Sequence, residues 1–205
     1  MLSQGSSPSG LRSAAQKLTV SELSAVAEQS GQGDVDSEVL LGLSLQLVAE
    51  RIEYDVQARA GMLRLSAYWL RLAAEKNSAP AEYFLAGTDL RLLERCDELS
   101  SMLNKAISQN YAPAMTALGR RYAEGGCGLK LDYPLGLQWL RKASEAGDAE
   151  ASYWIGRLYE QRYGIPADQN EATRWFLRGA ELGEPLSENS PVRGERREKR
   201  YGKSC

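Results

Sequence analysis

The sequence contains an internal repeat, and this feature limits the possible folds more than any other. The segment 112–122 aligns with the segment 149–159 and places Gly119 on Gly156, 37 residues further along the chain. Periods of this length are typical of stacked helical repeats. The other aligned pairs are Leu118 with Ile155, Tyr122 with Tyr159, Asp132 with Asp168, Trp139 with Trp175 and Gly147 with Gly183.

Two earlier copies of the repeat are less regular. Residues 79–86 fit the start of the unit and residues 102–110 fit its end, whereas 37–42 and 68–77 frame a longer first copy. The sequence therefore predicts four repeat units, at residues 34–77, 78–110, 111–147 and 148–183.

Each unit has the pattern of two helices joined by a turn. In the third unit Ala114, Leu118 and Tyr122 lie at helical spacing, and Trp139 and Ala143 do so again after a glycine-rich break. The units end in residue types that accept the left-handed conformation with which many helices terminate. These residues are Asn77, Asn110, Gly147 and Gly183.

A small residue recurs inside the first helix of every unit. Glycine in a helix interior costs about 1 kcal/mol relative to alanine, so its recurrence indicates that a neighbouring element packs closely there. The positions are Gly42, Ala86, Gly119 and Gly156.

These features predict an all-α fold. A single helix pair cannot bury its apolar face, whereas stacked pairs share one continuous core, so we expect an α-solenoid with a concave and a convex side. Residues 1–18 are expected to be disordered and residues 19–33 to form a helix that caps the first unit. Residues 184–205 are polar, basic and without pattern, which predicts a mobile tail.

The composition excludes several kinds of chemistry. The chain has no histidine, which removes Ser/His/Asp and Cys/His couples and the common zinc-binding motifs. Its 25 Lys and Arg residues against 27 Asp and Glu residues give a net charge of −2, which does not attract polyanions. We therefore expect no metal site, no cofactor and no nucleic-acid partner.

The three cysteines do not form a recognisable framework. Cys96, Cys127 and Cys205 are odd in number and lack CxxC spacing, which favours free thiols in a reducing compartment. A disulfide between Cys96 and Cys127 in adjacent units stays open as an alternative.

The repeat resembles the Sel1-like repeat, a relative of the tetratricopeptide repeat. The resemblance is strong over residues 111–183 and weak over 34–110, where the second unit lacks both the G-x-G turn and the tryptophan. The matching residues are Ala114, Leu118, Gly119, Tyr122, Gly126, Gly128, Asp132, Trp139, Ala143 and Gly147, then Ala151, Ile155, Gly156, Tyr159, Gly164, Asp168, Ala172, Trp175 and Gly183.

This resemblance implies a right-handed superhelix of about four helix-turn-helix repeats and an adaptor that binds a protein or peptide partner in its concave groove. A cysteine-rich branch of the family is linked to penicillin binding and β-lactamase activity, so a hydrolase is the alternative; no unit here holds two cysteines, and we expect no catalytic residue. A third possibility is a regulatory subunit whose basic tail contacts a membrane or nucleic acid.

Helical spacing identifies the side chains that line such a groove. On the first helix of each unit, residues that point away from the Gly/Leu/Tyr stripe are candidates for partner contact, although some could instead pack between neighbouring first helices. Aromatic and arginine side chains in such positions are typical of binding hot spots. The candidates are Tyr83, Phe84, Thr116, Arg120, Tyr153, Trp154, Arg157 and Glu160.

Other conspicuous residues have structural interpretations. Asp132 and Asp168 recur once per unit beside a helix start, which indicates helix caps rather than paired catalytic carboxylates. Trp69, Trp139 and Trp175 recur on the second helix and are predicted to lie in the core.

The longest apolar run, residues 39–49, is too short to cross a bilayer, which needs about 20 residues. An uncovered terminal repeat could pair two copies of the chain. The compartment stays open; the lack of a visible secretory segment favours the cytoplasm over the periplasm.

Overall fold

The computed structural model describes residues 7–93, 96–125, 129–161 and 166–183. In these residues the chain forms ten α-helices. They are α1 (Pro8–Lys17), α2 (Val20–Gly31), α3 (Val35–Arg51), α4 (Val56–Glu75), α5 (Ala79–Leu93), α6 (Cys96–Ser108), α7 (Ala112–Glu124), α8 (Tyr133–Glu145), α9 (Ala149–Gln161) and α10 (Gln169–Glu181).

Each of the four intervals predicted as a repeat unit holds one helix pair. The pairs are α3 with α4, α5 with α6, α7 with α8, and α9 with α10. The described residues fall into two compact units, a first that ends at Ala114 and a second that begins at Met115. From here on, "the first unit" and "the second unit" mean these two compact units, and the four repeats are called repeat units.

The core of the first unit is built by the inward faces of α3, α4 and α5. Leu43 and Leu70 are fully buried, and Phe84 and Leu85 complete the cluster from α5. Leu11 of α1 joins the same cluster.

The N-terminal segment corrects one expectation. We expected residues 1–18 to be disordered, but Pro8–Lys17 form α1. The side chain of Ser7 caps this helix by accepting a hydrogen bond from the Gly10 amide at 3.1 Å, and Arg12 forms an ion pair with Glu50 of α3. Burial of Leu11 against α3 stabilises a segment whose polar composition alone predicts no helix.

The second unit has a core of its own. Leu140 and Ala143 of α8 pack with Ile155 and Leu158 of α9, and Phe176 of α10 extends the packing to the last helix.

The repeated glycines lie in equivalent surroundings, as the repeat predicts. A Cβ atom placed on Gly119 would lie 2.8 Å from Leu140 Cγ, and one on Gly156 would lie 2.7 Å from the Phe176 ring. Gly42 in the first unit has the same relation to Leu70, at 2.7 Å. At each of these positions only a hydrogen leaves room for the side chain of the second helix.

The side chain that meets the glycine belongs to the residue after the tryptophan. Leu70, Leu140 and Phe176 are at most 2 % exposed, whereas Trp69 and Trp139 are only half-buried. The prediction that these tryptophans form the core is therefore corrected, because successive helical residues point about 100° apart and the inward direction falls on the next residue.

Two of the repeat tryptophans, Trp139 and Trp175, have cationic neighbours. Lys142 Nζ lies 4.6 Å from the centre of the Trp139 ring, and Arg178 Cζ lies 5.6 Å from that of Trp175. Trp175 also packs against the core of the second unit. Trp175 thus covers the edge of the core, and a cationic side chain lies over its ring.

The helix boundaries follow the sequence signals. The Asp132 carboxylate accepts a hydrogen bond from the Leu135 amide at 2.9 Å, and Asp168 accepts from Asn170 and Glu171, which confirms both caps. Positive φ angles are found, as predicted, at Asn77, Asn110, Gly147 and Gly183.

Some predictions fall outside the described residues. These are the turn glycines Gly126, Gly128 and Gly164, the thiols of Cys127 and Cys205, and the tail 184–205.

Candidate binding surface

The candidate side chains that remain accessible lie on α7 and α9. These are the first helices of the third and fourth repeat units. The core residues Ile155 and Leu158 take the inward face of α9, which leaves the other face open at helical spacing. We call this the α7–α9 surface. It consists of Arg120, Tyr153, Trp154, Arg157 and Glu160, all of them half-buried.

Arg120 and Trp154 form the central contact of this surface. The Arg120 guanidinium carbon lies 4.2 Å from the centre of the Trp154 ring, a cation–π distance. Both side chains donate a hydrogen bond to the same Glu150 oxygen, each at 3.2 Å. Arg120 is also 3.6 Å from Glu124 on its own helix.

This arrangement fixes the orientation of a large aromatic side chain. The indole is held by the stacked guanidinium on one side and by its N–H donor to Glu150. A side chain that is already ordered loses little conformational entropy when a partner covers it. The Trp154 side chain therefore has a fixed orientation on the α7–α9 surface.

A second pair extends the surface along α9. Arg157 donates a hydrogen bond to the Tyr153 hydroxyl at 3.1 Å, and its Nε lies 3.7 Å from Glu160. The Tyr153 ring packs 5.7 Å from the Phe176 ring, so the apolar part of Tyr153 belongs to the interior. The Tyr153 hydroxyl group and the Arg157 guanidinium form the polar part of this pair.

Thr116 lies beneath this surface rather than on it. Only 2 % of Thr116 is exposed, and its hydroxyl donates a hydrogen bond to Asp148, the residue before α9. Burial raises the pKa of the Asp148 carboxyl, the Thr116 hydrogen bond lowers it, and the charge of Glu150 raises it again. We therefore remove Thr116 from the candidate contacts and assign it to the connection between α7 and α9.

The two candidates in the first unit pack inward. Phe84 is 6 % exposed and belongs to the core. Tyr83 is half-buried and meets Phe84 and Tyr111 edge-on, with ring centres 5.1 and 5.7 Å apart. Phe84 is removed from the candidate contacts, and the Tyr83 ring serves mainly to pack, the alternative that the sequence left open.

The sequence reasoning missed Glu150, which is the group that connects the Arg120 and Trp154 side chains. Glu150 precedes Trp154 by four residues and so shares its helix face, and this spacing is the signal that could have identified it. The contact from Arg120 on another helix could not be read from spacing within α9.

In the described part of the chain, no group of three or more Asp, Glu, His or Cys side chains is arranged to hold a metal ion. None of the described helices combines the length and apolar character that a membrane crossing requires.

The family comparison matches three segments of the chain. The Sel1 repeat model fits residues 63–78, 112–148 and 149–184. The first segment covers most of α4, and the other two cover the third and fourth repeat units.

Two curated fungal proteins share sequence similarity with part of the chain. Chitin synthase regulatory factor 3 of Schizosaccharomyces pombe is 35% identical over 82 residues, and chitin synthase regulator SKT5 of Malassezia restricta is 36% identical over 85 residues. Each match covers 40% of this chain but only 9% and 6% of the respective relative. The chain thus spans less than a tenth of the length of these relatives.

Two bacterial crystal structures share the fold. A Sel1 repeat protein from Oxalobacter formigenes aligns with a TM-score of 0.60 and 24% identity over 74% of this chain and 60% of that protein. A protective antigen of uropathogenic Escherichia coli with an SLR fold gives the same TM-score and identity over 79% of this chain and 33% of the antigen. These likenesses confirm the predicted all-α helical-repeat fold.

Proposed function

Because the chain carries Sel1 repeats and has the all-α fold of Sel1-repeat proteins, we propose that it is a non-catalytic adaptor that binds a polypeptide partner. The α7–α9 surface is the proposed contact site. The fold supports this proposal, since stacked helix pairs expose a series of first-helix side chains to a partner.

The observation that carries the proposal is the stacked and hydrogen-bonded set formed by Arg120, Glu150 and Trp154. Tryptophan and arginine are enriched among residues that dominate binding energy, because they combine a large apolar area with directed donors. Here they are held in one arrangement and remain half-exposed. A peptide backbone or an apolar side chain of a partner would cover the outer part of the indole.

The names of the curated relatives agree with a role that acts through another protein. Both are described as regulators of chitin synthase, so each is named for the enzyme that it regulates. The part of them that resembles this chain is short, and we propose for this chain only that it acts by binding another protein.

Site-specific photo-cross-linking tests the location of the contact. A photoreactive amino acid at Glu160, on the α7–α9 surface, should yield a defined cross-linked partner in cells that express the full chain. The matched control carries the same group at Gln138, which is exposed on the second helix α8. Mass spectrometry identifies the cross-linked protein.

Alanine variants then test the energetics with the identified partner. Arg120→Ala should weaken its binding about tenfold or more, a hot-spot effect. Arg174→Ala is the control, since Arg174 is an exposed arginine of the same unit, paired with Glu171 on α10. Equal cross-linking at Glu160 and Gln138, or equal loss of affinity in both alanine variants, would contradict the proposed site.

A further inference from the structure

The break between α3 and α4 carries a tyrosine that is almost completely exposed. Tyr54 is 94% exposed, and Val56, the first residue of α4, is 75% exposed. An aromatic ring stabilises a fold by leaving water, so a ring with this exposure contributes little to packing. The Tyr54 hydroxyl group is therefore open to any molecule that approaches this end of the two helices.

The other tyrosines of the described ranges are presented differently. Tyr68 is 53% exposed but lies inside α4, where side chains one turn away flank it. The remaining ones are buried or half-buried, namely Tyr83, Tyr111, Tyr122, Tyr133, Tyr153 and Tyr159. Tyr54 is thus the described tyrosine that projects from the chain outside a helix.

The backbone on both sides of Tyr54 is extended. Ile52 has φ −85° and ψ 101°, and Asp55 has φ −99° and ψ 90°. Among the described residues, the amides of Glu53 and Tyr54 donate to no backbone carbonyl. A peptide-binding cleft grips an extended segment through its main-chain groups, so this segment offers both an exposed side chain and a backbone that can be held.

Both sequence neighbours of Tyr54 are acidic. Glu53 is exposed, and the Asp55 carboxylate caps α4 by accepting a backbone hydrogen bond at 2.8 Å. The nearest basic side chains in the sequence are more distant, with Arg51 at the end of α3 and Arg59 in α4. The charges directly beside the ring therefore fit an enzyme cleft that is basic around its target residue.

We propose that Tyr54 is a phosphorylation site for a protein-tyrosine kinase that selects acidic residues beside its target. In this reaction the Tyr54 hydroxyl oxygen attacks the γ-phosphorus of ATP, the bond to the β,γ-bridging oxygen breaks, and ADP leaves. The phenolic proton passes to the catalytic aspartate of the kinase. The product is a phosphate monoester with a charge of about −1.5 to −2 at neutral pH.

The fold accommodates this charge at Tyr54. Because the ring lies outside the core, the phosphate requires no rearrangement of buried side chains. Tyr54 also lies two residues before the start of α4, and the positive end of a helix dipole favours negative charge. Phosphorylation therefore adds a charged recognition group to the first unit and leaves its helices folded. Since Tyr54 belongs to the first unit, its modification is tested separately from the α7–α9 surface of the second.

Incubation of the folded full chain with ATP and a purified, acid-directed tyrosine kinase tests the site. Peptide mass spectrometry measures the phosphate at each tyrosine over time. Tyr54 should be modified at least about tenfold faster than Tyr68, because Tyr68 enters a cleft only when α4 opens locally. Tyr54→Phe should remove most of the incorporated phosphate, whereas the control Tyr68→Phe should leave incorporation unchanged.

Two charge variants test the acidic neighbours. Asp55→Asn keeps the cap of α4, because asparagine caps a helix about as well as aspartate, and Glu53→Gln keeps the length of the side chain. Together they should lower kcat/KM for Tyr54 about tenfold with the same kinase. The control Glu75→Gln, at the exposed C-terminal end of α4, should leave kcat/KM unchanged. Circular dichroism confirms that each variant, and the phosphorylated chain, is folded.

Three results would overturn the proposal. They are a folded chain that receives no phosphate at Tyr54, equal rates at Tyr54 and Tyr68, and a rate at Tyr54 that the loss of both neighbouring acids leaves unchanged. The second would show that the extended segment does not direct the kinase, and the third that the acidic residues are not what it recognises.

Discussion

In the first unit, Leu70 of α4 rests on Gly42 of α3; in the second, Leu140 of α8 rests on Gly119 of α7. The contact is the same, but α7 and α8 approach each other more closely than α3 and α4 do. A Cβ on Gly119 would lie 2.9 Å from the backbone oxygen of Gly136, whereas one on Gly42 would lie 3.4 Å from that of Ser66. The α7–α8 crossing thus brings backbone against backbone.

The match to the Sel1 repeat model also differs between the two units. The model fits both repeat units that make up the second unit, whereas in the first unit's two repeat units it fits only residues 63–78. The packing contact persists in the first unit because it needs only a small residue on one helix and a large apolar residue on the next. The remaining positions of the pattern, in the turns and at the aromatic sites, can change without loss of this contact.

The two units also use their polar residues differently. In the first, Glu38 and Glu82 are buried carboxylates, at 2.7 Å from Lys76 and 3.6 Å from Lys105. In the second, Arg120 and Glu150 pair in a half-exposed position beside Trp154. The first helices of the first unit therefore bury their paired carboxylates, whereas the Arg120–Glu150 pair of the second unit lies at the surface.

The largest expected effect tests whether the leucine–glycine contact contributes equally to the free energy of unfolding in both units. Leu70→Ala and Leu140→Ala each remove a fully buried side chain and should lower the free energy of unfolding by about 2–5 kcal/mol. Chemical denaturation measures both. The control Leu131→Ala, at a position 53% exposed, should change stability by at most about 0.5 kcal/mol. A cost confined to one leucine would break the equivalence.

A second prediction concerns the closeness of approach. Gly119→Ala should cost about 1–3 kcal/mol because the added methyl group meets backbone atoms that cannot move aside. Gly42→Ala should cost less, since its nearest contacts are side-chain atoms of Leu70. Thermal unfolding of both variants measures the difference.

The matched control, Gly87→Ala, should raise stability instead of lowering it. Gly87 of α5 is exposed and has nothing within 4 Å of an added Cβ, so Gly87→Ala should stabilise the protein by about 0.5–1 kcal/mol. Destabilisation by Gly42→Ala as large as that by Gly119→Ala would show that the two crossings are equally tight.

The sequence predicted most of the fold because the fold is periodic. Helix pairs, caps at Asp132 and Asp168, and left-handed ends at Asn77 and Gly147 are local features, and local patterns specify them. Helix α1 was missed because its stability depends on docking Leu11 against α3, a contact between distant parts of the chain.

The candidate site was less predictable for a geometrical reason. Helical spacing indicates a direction to within about one residue, and a shift of one residue separates an exposed side chain from a buried one. Phe84 and Thr116 were placed outward and are buried, whereas Trp139 was placed inward and is half-exposed. Contacts between helices, such as Arg120 with Glu150, are not contained in the spacing of either helix.

A third prediction uses the buried acids of the two units. Burial raises the pKa of Asp148 above its usual value of 3.8 and that of Glu82 above 4.5. A raised folded-state pKa means that the folded protein binds the proton more tightly, so stability is lost as the pH rises through the folded pKa. Asp148→Asn keeps an acceptor for Thr116 and should gain stability relative to wild type over the pH range from about 4 upward.

Urea unfolding at several pH values in this range checks this prediction. The counterpart in the first unit, Glu82→Gln, also loses the attraction of Lys105, so its relative gain with rising pH should be smaller. A difference between wild type and Asp148→Asn that stays constant with pH would show that Asp148 ionises in the folded protein as it does in the unfolded chain.

The smallest expected effect concerns the residues with positive φ angles that end the repeat units, which differ between the first and the second unit. The first unit uses asparagine there, with φ of 61° at Asn77 and 58° at Asn110, whereas the second uses Gly147 at 92°. Asparagine tolerates the left-handed region near 57°, but an angle of 92° departs from it. Gly147→Asn should therefore cost up to about 1 kcal/mol, measured by thermal unfolding, and Asn77→Gly only a few tenths. Equal costs would mean that the two turns are interchangeable, and the difference in residue type between the units would then carry no conformational requirement.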